Sequence, residues 1–400
     1  MPVSEPPMTR VFPSVAPSAW ATLGMDIVEH SPPHLVQAIG ARVWSEDGSE
    51  YVDFDNAGGA VLLGHRDPAV IAAVRMARSG DERRGVARYE KDVAALIADM
   101  APGAEACAFG GEVSQALRAA VTAARLHTGR EQVFICRGAA DAVGARRLAE
   151  PGFPFDDLGA LERLMELHGD DVAALVLAPC AGRAPSPDYL QGVRTQCDRL
   201  GTVLVYDETL SGFRAHEGGA QALFGVRADL MVFGPNLANG MPLGVLAGRR
   251  ELVAAAQNAD PLKADIACLA AARAVLAKLK AEPVIATLRA GGEEIRARTE
   301  VRLAEAGLEG VVQITGDAAA GRLAFRGGAG VDPAALKSAW INECLAHRLL
   351  ILGAVNMSYA HGDREIAALL AAFDQAADRL ASALRLGIPQ PRPSAAQSYG

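Results

Sequence analysis

Val203-Leu-Val-Tyr-Asp-Glu-Thr-Leu-Ser-Gly-Phe-Arg214 is the stretch on which the fold turns. Four apolar residues run directly into two carboxylates, Asp207 and Glu208. A short apolar run without polar alternation reads as a strand buried on both faces. Upstream, Val172–Ala178 has the same character, and the helical spacing of Tyr189–Leu200 lies between the two. Further out come a strand over Gln132–Cys136 and helices over 114–127 and 158–168. Strands alternating with helices imply a mostly parallel sheet covered on both sides. Ligands of such sheets sit beyond the carboxyl ends of the strands. Asp207 falls at one of those ends.

Towards the N-terminus, residues 41–54 read as a β-hairpin around Asp47-Gly48, a strong turn signal. A Gly-rich loop over 56–64 leads to a helix opening at Asp67-Pro68. Beyond residue 250 the pattern changes to helices over 264–281, 284–306, 333–347 and 363–384, with Glu282-Pro283 as a stop. Short strands are expected near 311–315, 322–326 and 349–352. The expected organisation is an arm over 1–25, a hairpin segment over 26–60 packing with the small domain, a large domain over 61–250, a small α/β domain over 251–386 and a tail over 387–400.

The chain has 400 residues, 50% of them hydrophobic, a net charge of −8, and no basic stripe. Nucleic acid is therefore not an expected partner. No apolar run approaches the roughly 20 residues of a membrane helix, and the Pro-rich first 20 residues lack the apolar core of a secretion signal. The six cysteines show no metal-ligand spacing, so reduced, mostly buried thiols in a cytoplasmic protein are expected. Cys180, after a strand, is a candidate to face the pocket.

Three runs together resemble the class III aminotransferases, pyridoxal-phosphate (PLP) enzymes of fold type I related to glutamate-1-semialdehyde aminomutase: Val203–Arg214, Gly218–Val226 and Asp229–Gly244. Ala41–Phe54 and Asn356-Met-Ser-Tyr-Ala-His361 extend the likeness. The resemblance implies an α/β protein with a seven-stranded, mostly parallel sheet in a large domain, a smaller α/β domain, and an active site at a dimer interface. It also implies a lysine where this chain has Pro235, in Gly234-Pro-Asn-Leu-Ala-Asn-Gly240. That lysine would form the Schiff base with PLP and carry the substrate proton, and proline has no amine.

The other tasks of a PLP site fall on identifiable positions. Asp207 matches the carboxylate that holds the ring nitrogen. The phosphate loop becomes Gly111-Glu112-Val113-Ser114, where an acid replaces a hydroxyl residue and Val113 a glycine. The stacking aromatic becomes Ala139-Ala140, followed by Asp141, and the partner-supplied threonine becomes Pro261. These losses lead to the expectation that no cofactor is held, PLP or its amine form PMP being ancestral. A non-catalytic homologue is expected, as a homodimer or beside an intact paralogue, with a small molecule in the old pocket. Two alternatives stay open. One is a repurposed PLP-independent enzyme of natural-product or sugar biosynthesis using Asp207, Glu208, Glu112, Asp141, Asn236 or Cys180. The other is residual PLP- or PMP-dependent transamination or aminomutase activity.

Overall fold

The protein is described by a computed structural model over residues 33–80, 82–138, 151–180, 182–327 and 332–385. The expected arm and tail, and Ala139, Ala140 and Asp141, lie outside the described residues.

A seven-stranded sheet organises the molecule. Its strands are β4 (Ala106–Gly110), β5 (Gln132–Arg137), β6 (Gly152–Pro154), β7 (Val172–Leu177), β8 (Val203–Glu208), β9 (Leu230–Phe233) and β10 (Gly244–Gly248), in the order β4-β10-β9-β8-β7-β5-β6. β6, β5, β7, β8 and β9 run parallel, whereas β10 is antiparallel to both its neighbours. Every residue of β7 and β8 is buried, as the uninterrupted apolar runs require. Each fully buried Val or Leu contributes roughly 1.5–3 kcal/mol relative to exposure. β8 continues two residues past its apolar run, so Asp207 and Glu208 are its last two residues.

Local chemistry sets the helix boundaries. Asp67 caps helix Pro68–Arg78 by accepting from the N–H groups of Ala69 and Val70 at 3.0 and 3.2 Å, and Pro68 sits where no helical N–H is needed. Glu282-Pro283 separates helices Ile266–Ala281 and Val284–Ala306.

Two smaller sheets complete the frame. β11 (Val312–Asp317), β12 (Ala320–Phe325) and β14 (Ala354–Asn356) form one. In the other, β1 (Leu35–Ile39) and the hairpin strands β2 (Arg42–Ser45) and β3 (Glu50–Asp53) are joined by β13 (Leu349–Leu350). Gly48 makes the hairpin turn at φ +80°, a conformation few side chains tolerate. β13 lies parallel to β3, with Leu349 opposite Val52 and Leu350 opposite Asp53. The hairpin is thus tied to the C-terminal part of the chain. Among the described residues, no helix is long and apolar enough to cross a membrane.

Candidate functional site

The carboxyl ends of the strands open into a cavity of about 340 Å³. Its wall brings together Asp55, Cys180, Asp207, Thr209, Arg322 and Lys337, from segments far apart in the sequence. Asp207 is buried, and its Oδ1 accepts from the Thr209 N–H at 3.0 Å and from the Thr209 hydroxyl. These bonds fix a carboxylate at the cavity wall, where it suits a protonated nitrogen or a ring N–H. Asp55 faces the same space, and burial pushes its carboxyl above the usual range despite the bond it accepts from the Gly58 N–H at 2.8 Å.

Arg214 braces this wall. Its guanidinium is fully buried and donates to the carbonyls of Met357 and Gly59, each at 2.6 Å. Desolvation brings it down to about 10. One side chain thereby joins the loop after β8, the Gly58–Gly59 turn and the segment after β14. The His361 imidazole stands behind β3, stacked on Phe54 with ring centroids 4.2 Å apart and bonded to the Asp53 carbonyl oxygen at 3.0 Å. Burial holds it at about 4, so it is a neutral framework group at ordinary pH.

The remaining expected site residues fall elsewhere. Glu208 was expected in the pocket beside Asp207, but the period-two pleat sends it away from the cavity. Its Oε2 accepts from the Ala220 N–H at 2.6 Å, Oε1 has no partner, and desolvation pushes the acid up to about 8. Asn236 is fully buried and donates to the Gly212 carbonyl, so it pins a loop rather than facing ligand. Cys180 does line the cavity, but burial, and next the nearby Asp317, push its thiol up and keep it protonated.

At the start of helix Val113–Thr128 the polar groups turn on one another. Ser114 donates to Glu112 Oε2 at 3.0 Å, and the Gly111 N–H donates to Gln115 Oε1 at 3.1 Å. Val113 packs on the apolar cluster behind the sheet. Pro235 is the first residue of a 3-10 turn, Pro235–Ala238, directly beyond β9. Pro261 is exposed in the loop before helix Ile266–Ala281. None of these residues lines the cavity.

Sequence reasoning missed Thr209, Asp317, Arg322, Lys337 and Gly353 as cavity residues, and named Arg214 only as the end of the run Val203–Arg214. A polar residue two places after a strand-end acid was a usable signal for Thr209. The others come from ordinary-looking strand and helix segments.

Comparison with known proteins gives the context. The sequence model of the class III aminotransferases matches residues 156–317. A glutamate-1-semialdehyde 2,1-aminomutase of Syntrophobacter fumaroxidans is 32% identical over 252 residues, 56% of this chain; that match spans only 58% of the relative's own length. The PLP internal aldimine form of the Sphingopyxis sp. MTA144 FumI protein superposes with a TM-score of 0.79, at 26% identity, over 90% of each chain. A transaminase with PLP bound superposes with a TM-score of 0.77, at 26% identity, over 94% of this chain and 100% of the other. These findings overturn the expectation of a chain to which no cofactor belongs: both solved proteins that share the fold hold PLP. The expectation gave the replaced anchors more weight than the shared framework that positions Asp207.

Proposed function

We propose that this chain, whose residues 156–317 match the class III aminotransferases, is a member of that family that has lost lysine-dependent transamination while keeping a small-molecule cleft. One observation carries this reading: proline begins the turn beyond β9, at the position where the family resemblance implies the reactive lysine.

When bound, PLP or PMP supplies an electron sink for chemistry at the carbon next to an amine. The residues of this cleft fit such a group at one end. Asp207 would hold the ring nitrogen, steadied by Thr209. At the other end the fit fails, because Pro235 offers no amine and the Ser114 hydroxyl is already engaged by the Glu112 carboxylate. A cofactor in this chain is thus held without a bond at position 235, and no proton moves through a side chain there. A non-catalytic subunit of an aminotransferase-like dimer, paired with a second copy or an intact paralogue, follows from this reading. A repurposed acid–base enzyme draws less support, since Glu208 and Asn236 are occupied with backbone and Cys180 is held as a thiol.

The test compares the native chain with Pro235→Lys after incubation with PLP, by visible absorbance and by peptide mass after borohydride reduction. The native chain is expected to give no fixed adduct and no amino-group exchange with amino acids, whereas Pro235→Lys gains an adduct at residue 235. A borohydride-fixed adduct together with amino-group exchange in the native chain would overturn the proposal.

A further inference from the structure

The cavity has a second charged feature, at its rim. Lys337 lies on helix Pro333–Ala346 and crosses Gly353 so closely that a Cβ at 353 would sit 2.9 Å from both its Cε and its Nζ. Gly353 has φ +110°, a conformation that keeps the position free of a side chain, and the end of the Lys337 side chain occupies the space beside it. Arg322 on β12 stands in register with Ala354 of β14, the next residue. Arg322 and Lys337 thus approach neighbouring residues, Ala354 and Gly353, and both line the cavity that Asp207 lines.

What sets them apart is that two cations without ion pairs line one cavity. Some cations elsewhere are matched, such as Arg289 with Asp317 at 2.9 Å, Lys278 with Asp67 at 2.8 Å and Arg194 with Asp229 at 2.9 Å, while unmatched ones such as Arg66 and Lys263 are exposed and line no part of this cavity. Among the described residues, neither Arg322 nor Lys337 has an ion pair, and neither side chain has a hydrogen-bond partner. Asp317, the acid nearest in sequence to Arg322 on this wall, is already paired with Arg289.

We infer that Arg322 and Lys337 form an anion-receiving subsite, and that the cavity's ligand joins a carboxylate or phosphate held there to a protonated nitrogen held at Asp207. The inference deepens the small-molecule reading of the cleft and rests on it. Arg presents a planar fork that matches either oxyanion, and Lys adds a mobile point charge. With the helix start at Glu112–Ser114 closed on itself, these two side chains supply the positive charge that an anionic ligand of this cleft requires.

Titration calorimetry on the full chain tests this with two matched pairs of probes: pyridoxamine 5′-phosphate against pyridoxamine, and 4-aminobutyrate against 4-aminobutanamide. At least one anionic member is expected to bind about ten-fold or more tightly than its matched partner, and the pair that discriminates identifies phosphate or carboxylate as the anion. The double variant Arg322→Gln/Lys337→Gln, altered only at exposed positions, is expected to abolish that preference while leaving the anion-poor probe unchanged. Retained preference in the double variant, equal binding within both pairs, or binding by none of the four probes would overturn the inference. A fixed adduct with amino-group exchange in the native chain would refute the loss of transamination without touching this result, so the two failures are distinguishable.

Discussion

Two regions at the carboxyl edge of the sheet have been treated in opposite ways. On the cavity side, Asp207 and Thr209 are bonded to each other and border open space, while Arg322 and Lys337 have no side-chain partners among the described residues. At the helix start, Ser114 is bonded to Glu112 and Gly111 to Gln115, and Pro235 merely opens a turn. A polar group that borders a cavity can meet a ligand there, and one that has turned inward has become framework. On our proposal the working part of the site is the wall shared by β8, β12 and β14 rather than the helix start.

The largest expected effect tests the brace behind the cavity wall. Arg214→Met should leave several buried carbonyls without donors and destabilise the protein by about 3–5 kcal/mol in denaturant unfolding, the range for breaking a buried charged network. A loss below about 1 kcal/mol would show that the three segments Arg214 joins hold together without it.

Glu208→Gln comes next and separates the two neighbouring acids. Burial raises the Glu208 acid from 4.5 to about 8 in the fold, so the folded state binds the proton more tightly than the unfolded one. Its contribution is most favourable below about pH 4.5 and is lost as pH rises towards 8. Glutamine keeps the acceptor for the Ala220 N–H and cannot ionise. The variant should therefore be more stable than the native chain at pH 9, by on the order of a few kcal/mol, with the difference shrinking towards pH 5. Unfolding curves at both pH values check this, and a pH-independent difference would contradict the buried-acid account.

The smallest effect belongs to the helix start. Glu112→Gln removes an exposed charge from the N-cap of helix Val113–Thr128 and should change the unfolding free energy by less than about 1 kcal/mol. Calorimetric titration with pyridoxamine 5′-phosphate should show tighter binding to this variant if Glu112 repels the ligand's anion. Unchanged affinity would mean that the anion sits wholly on the Arg322 and Lys337 side.

Much of this was legible in the sequence. The strands at 172–177 and 203–208 announced themselves as apolar runs, and the helices opening at Pro68 and ending before Pro283 through capping chemistry. β4 and β10 were not legible, because Ala-Cys-Ala-Phe-Gly and Gly-Val-Leu-Ala-Gly hold too few branched or aromatic residues to announce a strand. Their pairing comes from the sheet around them. Asp207 was visible because a carboxylate ends an apolar run. The alternation that separates Asp207 from Glu208 was present in the sequence too, yet the two acids were read as one pair. The rim was not legible, since Arg322, Lys337 and Gly353 become neighbours only once two strands and a helix have packed.

The parallel pairing of β13 with β3 sets a schedule for the newborn chain. Val52 and Asp53 emerge from the ribosome early, but Leu349 and Leu350, which complete their sheet, are added only some three hundred residues later. At about 5–20 residues per second the hairpin waits roughly 15–60 s with one edge uncovered. During that interval the exposed edge can pair with another chain, so chaperone cover of the hairpin during translation would suppress such pairing.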